Sequence, residues 1–354
     1  GGLEELAQVE GLLGYMQDLH KAGYPDVVPN TVAHNILLSA YARLSEHNHE
    51  DAPLKAEKLL RRMQVMGEDA APDHISFTKI ILAWTNANRP TSGQRAGYWL
   101  DKLWELYEEK GNDSRLRPKI GTYNLVIKAW KHDPQNVEKV FMQLLRAEKA
   151  KGETHLRPNT ESFSHLIVSW SKHDLSRAVM WLEELMRREE SSATSPFSIT
   201  TTPELYKVLL RRASLDPSHE NLSLGLKVFE YLRSSRHVVD IQAYASLLKL
   251  GLRTLPEPQH DADRRNFVAD TIQDCCNDGL VSNVFVRELA NAPTYHTGWT
   301  AKESKASVTE YFPEWPIPAS WTRNVRDEFN IPQESDTVRK SHDVLYHRVP
   351  ESKY

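Results

Sequence analysis

The stretch EHNHED, residues 46–51, comes nearest to a chemical site in this sequence, because two histidines there are flanked by acids. Alternate residues in a loop can share a metal ion. The stretch falls between two helical patterns, however, where solvated polar side chains are the commoner outcome, so we expect no metal. Cys275 and Cys276 are the only cysteines, and adjacent cysteines make neither a disulfide framework nor a zinc cage.

Motifs for catalysis are missing from the sequence. It has no His-x-Glu with Cys-x-x-Cys, the zinc pattern of deaminases. It also has no Walker loop, no Gly-x-Ser-x-Gly, no His-Glu-x-x-His and no aspartate cluster typical of a nuclease. We therefore expect a protein that is not an enzyme and uses no cofactor.

The strongest pattern is a repeated segment. It runs PNTVAHNILLSAY (29–41), PDHISFTKIILAW (72–84), RPKIGTYNLVIKAW (117–130) and RPNTESFSHLIVSW (157–170), with weaker copies TPELYKVLLRRA (202–213) and DIQAYASLLKLG (240–251). The column that anchors the copies contains His34, Phe77, Tyr123, Phe163, Tyr206 and Tyr244. In the strong copies, apolar residues follow three, four and seven places on, which is one face of an α-helix. We expect this column to be core, and the proline before each strong copy suits a helix start.

A second helical pattern follows each copy after a short polar turn. Asp133 and Asp174 lie in two of these turns and are expected N-caps. We call the first helix of each pair helix A and the second helix B. A single pair cannot bury its apolar faces, so the pairs are predicted to stack as an α-solenoid with a concave surface lined by the A helices.

The pattern divides the chain into four segments. They are 1–30, the second helix of a partial repeat; 31–253, five to six repeats; 254–291, a C-terminal helical cap with Gly279 at a C-cap between two helices; and 292–354, an extended, partly ordered tail. The tail carries the aromatic residues Tyr311, Phe312, Trp315 and Trp321. We expect these side chains to dock, either on the chain's own helices or on a partner in a large assembly.

The repeated segment resembles the pentatricopeptide repeat. The matching motif is Pro-[Asp/Asn]-x-x-x-[aromatic]-x-x-[Leu/Ile]-[Ile/Leu], then Ala-x-x-Leu-[Leu/Phe]-x-x-Met, over residues 31–202 and more weakly over 203–253. Tetratricopeptide repeats share the helix pair but lack the Pro-Asp/Asn lead. The resemblance implies an all-α, right-handed solenoid with an extended tail. It also implies single-stranded RNA as the partner, at about one nucleotide per repeat, and an organellar location, the mitochondrion rather than the chloroplast.

In that family, the polar residue after the aromatic column and the last residue of the repeat read a base edge. The resemblance therefore makes base-reading candidates of Asn35 with Asp73, Thr78 with Lys119, Asn124 with Asn159, and Ser164 with Thr202. The first pair resembles a uracil reader and the third a pyrimidine reader. Lys119 departs from the family pattern, as does Lys207 in a fifth pair with Asp240.

The second residue of helix A wedges between bases in that family. Val32 and Ile75 are apolar and are the base-stacking candidates. Gly121, Glu161 and Glu204 are departures at the same position, and a carboxylate near an RNA backbone is electrostatically unfavourable.

Charge permits an RNA partner without demanding one. The net charge is −4, but basic residues outnumber acidic ones within 31–253 and the flanks are acidic. No stretch approaches the ~20 apolar residues of a membrane helix, so we expect no membrane insertion. Two functions stay open. One is an organellar RNA-binding protein in RNA processing, stability or translation, including as a ribosomal subunit; the other is an architectural scaffold subunit of a large organellar complex.

Overall fold

A computed structural model describes residues 2–24, 26–47, 49–151, 154–192, 199–255, 261–282, 284–285 and 323–325. Within these ranges the protein has α-helices and short 3-10 turns and no strand, so the predicted all-α class is confirmed. The α-helices are α1 (Gly2–Lys21), α2 (Thr31–Glu46), α3 (Ala52–Met63), α4 (His74–Ala87), α5 (Ser92–Glu109), α6 (Ile120–Ala129), α7 (Pro134–Lys151), α8 (Thr160–Trp170), α9 (Leu175–Ser192), α10 (Pro203–Leu215), α11 (His219–Ser234), α12 (Ile241–Thr254) and α13 (Asp261–Asp278).

The chain divides into two compact units, Gly1–Thr201 and Thr202–Tyr354. In the first unit α2, α4, α6 and α8 are A helices; each packs on its own helix B, and successive A helices from α2 to α8 pack on one another. Helix α1 packs on α2. In the second unit α10 and α12 pack in the same way, with α11 and α13 as their B partners. The predicted stacking of helix pairs is therefore present within each unit.

The aromatic column forms the core of the pairs. All six side chains of the column are buried, which confirms the interpretation as core. Phe163, for example, packs edge-on against Phe141 of the preceding helix B, with ring centroids 4.9 Å apart. Fully burying one such side chain contributes about 2–3 kcal/mol, so the column is a main source of stability between successive pairs.

Four of the A helices begin with a capping side chain, which in three of them directly follows the proline. Asn30, Asp73, Asn159 and Asp240 each accept the backbone N–H of the residue three places on, at 2.9–3.0 Å. The prolines of the strong copies therefore mark the helix starts, and each lies one place before the N-cap rather than at the first helical position. The reason is that an Asp or Asn oxygen reaches that N–H only from the N-cap position.

The expected caps of two B helices are confirmed. Asp133 accepts the backbone N–H of Asn136 at 3.1 Å, and Asp174 accepts that of Arg177 at 3.0 Å. Both turns are short, so these caps fix where helix A ends and helix B begins.

A buried carboxylate ties the first two pairs together. Glu57 of α3 is 5% exposed and accepts the indole N–H groups of Trp84 and Trp99, each at 2.8 Å. The guanidinium of Arg95 completes the set, with its Nε 3.0 Å from the carboxylate. Because two apolar rings bring their only polar atoms to one carboxylate, this contact specifies how α4 and α5 sit on α3.

The end of α13 is closed by a distant part of the chain. Gly279 has φ +69 and its N–H donates to the Cys276 carbonyl at 3.0 Å, so the predicted C-cap is confirmed. The Asn324 backbone N–H donates to the Gly279 carbonyl at 2.9 Å, its side-chain amide donates to the Asp278 carbonyl at 2.7 Å, and Arg323 donates to the Asn277 carbonyl. Residues 323–325 are thus docked on the C-terminal end of α13. The tail aromatics Tyr311, Phe312, Trp315 and Trp321 lie outside the described residues.

Candidate nucleic-acid interface

The candidate reading side chains follow the buried aromatic column by one residue, so they lie at the edge of the core. Asn35 is 8% exposed and Asn124 is 2% exposed. Their surroundings are therefore set mainly by the next repeat, and this packing decides which of their polar atoms are available.

The first predicted pair is brought together. The side-chain amide of Asn35 donates to Asp73 Oδ1 at 3.1 Å, and its carbonyl oxygen accepts the Ser76 hydroxyl at 2.7 Å. Asp73 is at the same time the N-cap of α4. The orientation of the amide is determined by this geometry, because a carboxylate can only accept and must face the N–H side of Asn35.

The third predicted pair has the same construction. The Asn124 amide donates to Asn159 Oδ1 at 3.1 Å, and its carbonyl oxygen accepts the Ser162 hydroxyl at 2.6 Å. The second N–H of the amide donates to Glu161 Oε2 at 2.8 Å. Asn124 therefore has a hydrogen-bond partner for each polar hydrogen of its side chain.

The second predicted pair is not joined. Thr78 and Thr122 approach to 2.9 Å between their hydroxyl oxygens, and Thr78 also donates to the His74 carbonyl at 2.7 Å. A hydroxyl has one proton, so Thr122 is the donor between the two threonines. Lys119 is the exposed N-cap of α6, without a side-chain cap bond.

The remaining pairs differ from one another. Ser164 donates back to the Thr160 carbonyl of its own helix at 2.8 Å, whereas Thr202 begins the second unit as the N-cap of α10. Lys207 and Asp240 do meet within the second unit, 3.1 Å apart.

The hydroxyl residues Ser76, Thr122 and Ser162 are site residues that the sequence reasoning missed. Each joins the candidate reader of one repeat to helix A of the next, and we call the three contacts the inter-repeat clasps. A signal for them was present, because each directly precedes the aromatic column. A small hydroxyl at that place was not recognised as a partner for a side chain in another repeat.

The two stacking candidates are open to solvent. Val32 is 65% exposed and Ile75 is 41% exposed. Ile36, one turn after Val32, is also exposed. An exposed aliphatic surface next to a polar amide suits an unpaired base, which offers an apolar face and polar edges.

A lysine cluster lies at the C-terminal ends of α6 and α8. It consists of Lys128, Lys131 and Lys172, none of which has an ion-pair partner in the described part of the chain. Burial lowers the pKa of Lys131, and the neighbouring charges of Lys128 and Lys172 lower it further. Such a concentration of positive charge favours an anion such as phosphate. The lysines come from two different copies, so single-copy reading did not reveal the cluster.

Histidine and acidic side chains border this cluster. Burial, followed by the charges of Lys131 and Lys172, lowers the pKa of His132. Burial also lowers the pKa of His165, and Glu161, 3.7 Å from its Nε2, acts in the opposite direction. Both imidazoles are thereby favoured in the neutral form near neutral pH, which leaves the lysines as the source of charge.

No group of three His, Cys, Asp or Glu side chains among the described residues is arranged to hold a metal ion. Cys275 and Cys276 are buried, and burial raises the pKa of the Cys276 thiol to about 11. No helix in the described ranges is both long and apolar enough to cross a membrane.

Stacked helix pairs with a row of polar side chains on successive A helices define a helical-repeat protein. The chain is similar to the crystal structure of the pentatricopeptide repeat protein PPR10 from maize, with 17% identity and a TM-score of 0.40. The match covers 87% of this chain and 46% of that chain, so the chain spans about half the length of that protein. No protein-family model matches the sequence, and no curated protein sequence matches it significantly.

Proposed function

We propose that this chain is a non-catalytic pentatricopeptide repeat protein that binds single-stranded RNA, by itself or within a ribonucleoprotein. Its role would lie in RNA processing, stability or translation in an organelle, with the mitochondrion as the location. The observation that carries the proposal is the Asn35–Asp73 pair, joined at 3.1 Å across two repeats. One amide N–H of Asn35 has no hydrogen-bond partner among the described residues, and Val32, three residues earlier on α2, and Ile75, directly before Ser76, are exposed. A donor next to apolar surface is what an unpaired pyrimidine needs.

The lysine cluster supplies the second requirement, which is charge for the phosphates. RNA binding through these ammonium groups releases counterions, so the logarithm of the affinity falls with the logarithm of the salt concentration. For single strands the slope is about 0.7 per neutralised phosphate. Loss of all three lysines should therefore reduce the slope by about 2.

The proposal is tested by measuring the affinity of the full chain for a pool of labelled single-stranded RNA. Fluorescence anisotropy gives this affinity at each of a series of salt concentrations. The variant K128A/K131A/K172A should bind more weakly and with the shallower slope. The matched control is K55A/K58A/K149A, which removes three lysines from B helices. It should leave the slope nearly unchanged. Absence of binding by the unmodified chain at low salt would refute free RNA binding.

A scaffold subunit of a large organellar complex is the second candidate. It is favoured by the clasps, because Asn35 and Asn124 already use their side chains to join repeats, and by the docking of residues 323–325. Size fractionation of native extract, with and without residues 292–354, separates the two functions. The scaffold function is supported if the chain migrates with a large particle after ribonuclease treatment and no longer does so when residues 292–354 are deleted.

A further inference from the structure

Two of the clasps are close copies of each other. In the first, Asn35 meets Asp73 and Ser76; in the second, Asn124 meets Asn159 and Ser162, with all the equivalent distances between 2.6 and 3.1 Å. In both clasps the serine hydroxyl holds the amide oxygen, and the cap residue of the next helix A accepts one amide N–H. The two sites therefore offer the same framework to a ligand.

They differ in the cap residue, Asp73 against Asn159, and at the residue directly before the serine. Ile75 occupies this place beside the Asn35 clasp, and Glu161 occupies it beside the Asn124 clasp. The Glu161 side chain is largely exposed, yet its carboxylate accepts the second N–H of Asn124 at 2.8 Å. Isoleucine has no acceptor, so the corresponding N–H of Asn35 has no partner among the described residues.

A primary amide has two donors and one carbonyl oxygen. At Asn124 both donors and the oxygen are used within the protein, whereas at Asn35 one donor remains. A pyrimidine carbonyl could accept from Asn35 directly. At Asn124 it would have to displace Glu161, and a phosphodiester nearby would also be repelled by the carboxylate.

We propose that Glu161 is a specificity-determining residue that closes the Asn124/Asn159 site to pyrimidine bases by occupying the donor that a base carbonyl would accept. This inference rests on the proposed RNA-binding function. It makes Asn35/Asp73 the open reading site of the first unit and Asn124/Asn159 a closed one.

A reciprocal exchange between the two sites provides the test. E161I gives the Asn124 site the isoleucine of the open site, and I75E gives the Asn35 site the carboxylate of the closed one. The probe is fluorescently labelled oligouridine at low salt, with oligoadenosine of equal length for comparison. E161Q separates the two effects of Glu161, because glutamine retains an acceptor oxygen for Asn124 and loses the negative charge.

One recovered hydrogen bond is worth about 1 kcal/mol, or roughly fivefold in affinity. We expect E161I to bind oligouridine about fivefold more tightly, with a smaller gain on oligoadenosine, and I75E to bind it about fivefold more weakly. E161Q should recover less than half of the E161I gain. Circular dichroism checks that each variant keeps the helical fold.

Two results would overturn the inference while leaving RNA binding intact. One is an unchanged affinity of E161I; the other is an equal gain for E161Q and E161I, since charge alone would then explain the effect. Failure of the unmodified chain and of E161I alike to bind any oligonucleotide would instead overturn the proposed function.

Discussion

Replacing Glu57 by leucine tests how successive pairs are held together. The carboxylate lies inside the junction of α3, α4 and α5 and accepts from Trp84, Trp99 and Arg95. Leucine has a similar volume but no acceptor, so the substitution removes the hydrogen bonds while largely preserving the packing.

The expected loss follows from the groups left behind. Two buried indole N–H groups lose their acceptor, at about 1–3 kcal/mol each. Arg95 is about one-third exposed, with 34% of its side chain accessible, so water can take over its hydrogen bonds. Removal of a buried charge offsets part of the loss. We expect a net destabilisation of about 3 kcal/mol. The equilibrium constant for local opening then rises about a hundredfold.

Glu138 offers a matched control. It pairs with Arg177 at 2.7 and 2.9 Å, and Arg177 lies over the Trp170 ring at 4.7 Å, in an arrangement that parallels Glu57. The Trp170 indole N–H does not donate to a partner, however. E138L therefore leaves no indole newly unsatisfied, and because the Arg177 side chain is 45% exposed, water can replace the lost ion pair at a cost of about 1 kcal/mol.

Hydrogen exchange measured by mass spectrometry is the suitable assay, because it reports on each helix even when the two units unfold separately. Amides of α4 and α5 should exchange about a hundredfold faster in E57L. Amides of α10 to α12 should be unaffected. Equal effects of E57L and E138L would refute the argument, since the buried indole donors would then contribute nothing.

Three further predictions concern close contacts and burial. A methyl group at Gly93 would lie 2.2 Å from the Trp130 ring, whereas at Gly97 it would lie 4.0 Å away. Measured by thermal unfolding, G93A should therefore destabilise the protein by about 1–3 kcal/mol, and G97A should stabilise it by about 0.5 kcal/mol. An unchanged stability of G93A would contradict this packing. G279A should destabilise α13 by at least about 1 kcal/mol, because φ is +69 there and no space exists for the added carbon, with hydrogen exchange of α13 as the measurement. Burial raises the pKa of Cys276 to about 11, so its thiol stays protonated at pH 8. The thiol should therefore resist alkylation in the folded protein and react in urea. Rapid labelling without denaturant would show that the thiol is not buried.

Much of the fold was predictable because the signals for it are local. The spacing of apolar residues after Phe77 or Phe163 marks one face of a helix, and both side chains are buried as expected. Asp133 and Asp174 act as caps through atoms only a few residues away. The prolines of the strong copies mark the helix starts, although each lies one place before the N-cap and outside the helix.

The candidate site was predictable only in part. The Asn35–Asp73 and Asn124–Asn159 pairs meet as the family resemblance suggested. Their shared role in joining repeats was not visible, since a polar residue in a motif carries no mark of what it contacts. Glu161 stood out in the sequence as an unfavourable charge, but nothing there indicated that it would bind the Asn124 amide.

Periodicity, core face and capping were determined by the sequence alone, since each depends on residues within about two turns of a helix. The tertiary structure decided which side chains about one repeat apart come into contact. The clasps, the Glu57 junction, the lysine cluster and the docking of residues 323–325 all belong to this second group. Their geometry depends on how one helix pair is laid on the next, and that placement results from the summed packing of many buried side chains.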